Sequence, residues 1–90
     1  MAVIKYIKDP DAILDYVLDW TDWLDSDTIS SSAWTSTTGI TIDSDTNTTT
    51  TATVWLSGGA TGSDYDVTNH IVTSAGREDD RTITIKIRER

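Results

Sequence analysis

The chain has 90 residues, with fifteen Asp and Glu against seven Lys and Arg for a formal charge of −8, no cysteine and one proline. That length fits one domain, residues 1–90, near the lower end of what folds without a staple, and the lack of cysteine excludes a disulfide framework and a thiolate metal site. An acidic total disfavours nucleic acid as a partner, and no stretch offers the roughly 18 apolar residues of a membrane span or the apolar run of a signal peptide, so a cytosolic assembly route is expected.

In chain order, Ile4 to Ile7 reads as a short opening strand, closed by Asp9-Pro10-Asp11, where proline removes a ladder donor and belongs at an edge or a crossover. From Leu14 to Trp20 the even positions Leu14, Tyr16, Leu18 and Trp20 are apolar and Asp15 and Asp19 are acidic, the pattern of a strand with one buried face. Val17 breaks it mildly. A helix over Asp11 to Leu24 is the competing reading, because Ile13, Val17, Trp20 and Leu24 also fit a helical face.

Thr28 to Thr35 carries Ile29 and Trp34 at opposite parity, which requires a bulge or two short pieces. Ile40 and Ile42 share one strand face, Asp43 to Asn47 reads as a turn, and Thr49 to Ser57 forms a long strand with Ala52, Val54 and Leu56 inward and Trp55 outward. After the loop Gly58 to Gly62, Tyr65, Val67 and Ile71 share one face of the next strand, and Ile83, Ile85 and Ile87 one face of the last. Helical periodicity is absent after residue 25, so the fold is expected to be an all-β, antiparallel sandwich of about seven strands. Tyr65, just after a Gly-Ser-Asp turn at the start of the penultimate strand, resembles the tyrosine corner of immunoglobulin-like sandwiches.

Charge is uneven. Asp9, Asp11, Asp15, Asp19, Asp22, Asp25 and Asp27 crowd the first third, whereas Arg77, Arg81, Lys86, Arg88 and Arg90 crowd the end without an aromatic among them. Salt pairing with the acidic third or with a partner suits this better than a nucleic-acid stripe. The threonines 48–51 suit an exposed or edge strand, since the β-branch stiffens χ1. Asn47-Thr48-Thr49 matches a glycan acceptor, but that chemistry needs a secretory route.

Asp43-Ser44-Asp45-Thr46-Asn47 opens like a calcium loop, yet the sixth position is Thr48 rather than glycine and the twelfth is Val54 rather than glutamate. No metal or other cofactor is expected. His70, the one histidine, falls on the outward parity with no nucleophile motif for it to activate, so no catalytic residue is assigned. Of the four tryptophans, Trp20 and Trp34 are assigned to packing with Tyr16 and Tyr65, leaving Trp23 and Trp55 as rigid anchors for a binding surface, with Arg77 and Arg81 as its charged rim.

Three stretches carry a wider resemblance: Lys8-Asp9-Pro10-Asp11-Ala12-Ile13-Leu14-Asp15-Tyr16 with Asp19-Trp20 and Trp23-Leu24; Asp27-Thr28-Ile29 with Trp34-Thr35; and Ala52 to Gly59 with Tyr65-x-Val67-x-Asn69-x-Ile71. With Gly76-Arg77 and Arg81-x-Ile83 they resemble the fiber-tail adaptor proteins of tailed bacteriophages. The resemblance implies a β-sandwich virion component, made in the bacterial host cytoplasm and multimeric in the particle, that joins tail, neck or fiber proteins without enzyme activity. A capsid decoration protein, and a carbohydrate- or host-surface-binding module stacking sugars on Trp23 and Trp55, are the alternatives.

Overall fold

The computed structural model describes residues Ile4–Glu89, so the expectation for Arg90 lies outside the described residues. Seven strands and one helical turn follow in the order β1 (Ile4–Lys8), β2 (Leu14–Asp19), α1 (Thr21–Leu24), β3 (Ile29–Ser36), β4 (Ile40–Asn47), β5 (Thr51–Gly58), β6 (Asp64–Thr73) and β7 (Glu78–Ile87). They form a four-stranded sheet, β1-β7-β6-β3, and a three-stranded sheet, β2-β5-β4. The fold is therefore an all-β sandwich.

Parity decides what fills the space between the sheets. Val54 and Leu56 of β5, Val67 and Ile71 of β6, and Ile83, Ile85 and Ile87 of β7 are all fully buried, as alternate positions of half-buried strands should be. Tyr16, Leu18 and Trp20 of β2 and its end join them, so the strand reading of this segment holds and only the single turn Thr21–Leu24 is helical. Leu14 keeps the expected face, opposite the buried Leu56, but at the strand's end it is 38% exposed. The opposite parities of Ile29 and Trp34, both buried, are reconciled by a register shift between Ile29 and Ser31 against β6.

Three expectations are corrected. Pairing is antiparallel except for β1, which runs parallel to β7, because the Pro10 connection carries the chain across to the other sheet. Asp43 to Asn47 is strand, not turn: β4 continues to Asn47, paired through Ala52 with a shift between Ile42 and Ser44. The turn is made by the threonines instead, where Thr48 Oγ1 accepts from the backbone N–H of Thr50 (3.2 Å) and Thr51 (3.0 Å). A hydroxyl thus supplies the turn chemistry that the aspartates and asparagine suggested. β7 also starts earlier than its isoleucines indicate, at Glu78.

Polar contacts also tie the two sheets together. Lys8 is fully buried at the end of β1, and its Nζ donates to the carbonyls of Gly58 and Asp9, each at 2.9 Å. Burial pushes its pKa down, partly opposed by Asp9, Asp11 and Asp43.

Candidate functional site

At one end of the sandwich, α1 and the β6–β7 turn bring four of the singled-out residues into one stack. Arg81 Cζ lies 4.1 Å from the Trp20 ring centroid, Trp20 meets Trp23 edge-on at 5.4 Å, and Arg77 Cζ lies 4.3 Å over Trp23. The arginines without aromatic neighbours in sequence acquire them in space. Their polar ends turn back into the chain as well: Arg81 Nη1 donates to Asp19 O (3.1 Å), and Arg77 donates to Leu24 O (2.8 Å) and to Asp27 Oδ2 (3.1 Å).

Trp23 is thus half-buried against the core and roofed by Arg77, because α1 folds the ring inward rather than leaving it on an open turn. The Thr73 hydroxyl above all, with the Thr28 N–H, the Arg77 guanidinium and the Ala75 N–H, holds the Asp27 carboxyl down at about 2. Beside it an open depression of about 340 Å³ is lined by Leu24, Asp25, Ser26, Asp27, Ala75 and Arg77. Asp25 takes φ 60° and ψ −110°, and Asp27 N–H donates to Leu24 O (3.0 Å), which is a type II′ turn with aspartate where glycine is favoured.

The outer face of the three-stranded sheet is different in kind. Asp15 pairs with Trp55 and Val17 with Thr53, so these four share that face; Trp55 is 40% and Val17 47% exposed. On β4 the Asp43 carboxylate accepts from Ser57 Oγ at 3.0 Å. Asp19, also on this face, is held below the usual carboxylate range by the Thr21 hydroxyl and N–H. The strands β2, β5 and β4 contain no lysine or arginine.

Tyr16 and Trp34 lie in the core, and the Tyr16 ring packs on Tyr6 at 4.8 Å where the edge strands β1 and β2 meet. Tyr65 Oη accepts the Ala60 N–H at 3.0 Å, a bond to backbone five residues upstream. Its ring is held between two glycines with left-handed φ: a Cβ on Gly39 would stand 2.6 Å from Tyr65 Cε1, and one on Gly59 would stand 3.4 Å from Cε2. His70 bridges two carboxylates on the other outer face, Asp80 at 2.5 Å through Nδ1 and Glu78 at 2.9 Å through Nε2. Those hydrogen bonds, Asp80's first, raise its pKa. Among the described residues no cluster of three metal-ligating side chains occurs, and no helix is long and apolar enough to cross a membrane.

The residue that sequence reasoning passed over is Asn69. It appeared only as one position of a pattern, yet it is fully buried and bonded to Trp20 across the core. Its inward parity, shared with Val67 and Ile71, was the available signal.

Residues 8–86 match the family described as "Podophage GP4 fiber-tail adaptor protein gp77". The chain belongs to the podophage fiber-tail adaptor family. The matched span runs from the buried Lys8 to Lys86 near the end of β7, so it takes in strands of both sheets, β2 to β7, and leaves out β1 except for Lys8. No curated protein matches this adaptor chain. Among solved structures it is similar to "Solution structure of the PKD domain from KIAA 1837 protein", with a TM-score of 0.53 and 19% identity over 97% of this chain and 80% of that one. That likeness concerns the fold, an immunoglobulin-like sandwich. Membership in the adaptor family implies a structural role as a virion component that contacts tail and fiber proteins.

Proposed function

We propose that this chain is a non-enzymatic adaptor, a single sandwich domain made in the host cytoplasm and present in several copies per particle, that joins tail or neck proteins to fibers. The observation that carries the reading is the family match across both sheets. The site geometry supports it from the other side. The charged cluster beside the depression spends its groups on its own chain, with Arg77 and Asp27 bonded to each other, so neither is poised for acid–base work.

Trp55 remains as an exposed aromatic anchor of the kind protein interfaces use, whereas Trp23, Arg77 and Arg81 are committed to the internal stack and act on binding by shaping that end. The sugar-binding alternative is weakened by the same contact, since Arg77 covers the face of Trp23 on which a sugar would stack. Phage unable to make this chain tests the reading. Particles should assemble with tails and lack fibers, and fully fibered particles would contradict it.

A further inference from the structure

Charge is segregated by sheet. All strand lysines and arginines, Lys5, Lys8, Arg81 and Lys86, belong to the four-stranded sheet, while β2, β5 and β4 carry Asp15, Asp19, Asp43 and Asp45 with no basic residue. The outer face of the three-stranded sheet therefore presents an apolar centre, Trp55 with Val17, inside a frame of carboxylates that meet no basic residue of their own sheet, Asp19 and Asp43 feeling only Arg81 and Lys8 of the facing one. The other outer face is mixed: Lys86 stands opposite Asp64, Arg88 reaches Asp64 at 3.3 Å, and His70 is set between Asp80 and Glu78.

An exposed tryptophan and valine on a sheet face gain nothing from the core, because Val54 and Leu56 already fill it from the opposite side. We propose that this face docks a basic surface of a different virion subunit, whose apolar centre receives Trp55 and whose lysines and arginines meet Asp15, Asp19 and Asp43. Complementarity of charge selects that occupant. A second copy offering the same face would set carboxylate against carboxylate, and its other face is not cationic either, in a chain of charge −8. The inference rests on the adaptor reading and names the face that reading leaves open.

The test uses purified wild-type protein and two variants, Trp55→Ala and Asp15→Lys with Asp19→Lys, added back to particles assembled without this chain. Thermal melting of each variant first establishes that it is folded, and Lys5→Glu with Lys86→Glu serves as the control on the opposite face. Trp55→Ala should weaken attachment about 30-fold, the scale of an interface hot spot. The double lysine variant should slow attachment, most of all at low salt, where wild type attaches fastest. Hydroxyl-radical footprinting of the wild-type complex should protect Trp55 and Val17. Wild-type attachment that neither variant alters, with Trp55 still oxidised in the complex, overturns the face while leaving the adaptor reading in place. Wild type failing to attach at all overturns the adaptor reading and this inference with it, and self-association lost in Trp55→Ala would assign the face to a second copy instead.

Discussion

Asn69 Oδ1 accepts a hydrogen bond from the Trp20 indole N–H at 3.0 Å, with both residues fully buried. The Asn69 amide nitrogen donates in turn to Ser32 Oγ at 2.8 Å and to Ala33 O at 3.1 Å. One side chain on β6 thus fixes the neighbouring strand β3 and reaches the end of β2 in the facing sheet. A satisfied polar network in low dielectric specifies one arrangement of the layers, where apolar contacts alone would tolerate sliding.

Asn69→Leu keeps the number and branching of the side-chain heavy atoms and removes every one of these bonds. The Trp20 N–H is then buried without an acceptor, at a cost of about 1–3 kcal/mol for each group orphaned. A fall in the urea midpoint of that size is expected with an unchanged slope; a midpoint equal to wild type would deny the pin its role.

Tyr65→Phe and Gly39→Ala separate the two parts of the corner. Loss of the hydroxyl costs about 0.5–1.5 kcal/mol, at the lower end because the Ala60 N–H is near solvent and can be hydrated. Gly39→Ala is worse, since φ +117° strains an L-residue and the new Cβ meets the ring at 2.6 Å. Equilibrium melts of both variants should rank them in that order.

Asp25→Gly should stabilise the protein. The II′ position at φ 60°, ψ −110° costs a non-glycine residue about 1–3 kcal/mol, and glycine's extra freedom in the unfolded chain returns roughly 0.5–1 of that. A net gain of about 1 kcal/mol is expected in urea melts, and a loss would mean that the Asp25 carboxylate holds something the turn geometry does not reveal.

Two groups give stability opposite dependences on pH. The folded-state pKa of His70 lies above its ordinary 6.5, so its contribution is complete below that value and disappears as pH rises through the higher folded one. Asp27 is depressed from 3.8 to about 2, so its contribution is present above 3.8 and is lost as pH falls toward 2. His70→Asn should flatten the alkaline-side decline in urea midpoint and Asp27→Asn the acidic one, each leaving the other side unchanged.

The strands with one apolar face were legible in the residues, because Ala52-x-Val54-x-Leu56 and Ile83-x-Ile85-x-Ile87 admit one buried side each. The β4–β5 turn was not, since threonine usually favours strands and only the local bonds of Thr48 turn the chain there. Trp55 could be placed by parity. The partners of Trp23, Arg77 and Arg81 could not: Arg77 lies 54 residues from Trp23, and their stacking follows from sheet packing that no local pattern encodes. The parallel pairing of β1 with β7 is of the same long-range kind.

A reconstruction of the particle at residue resolution would locate the sandwich and its neighbours. The sandwich should stand between tail and fiber, its three-stranded sheet turned toward a basic subunit with Trp55 buried in the contact. Density for the fold on the capsid surface, or at the tail with no fiber subunit touching it, would contradict the adaptor role.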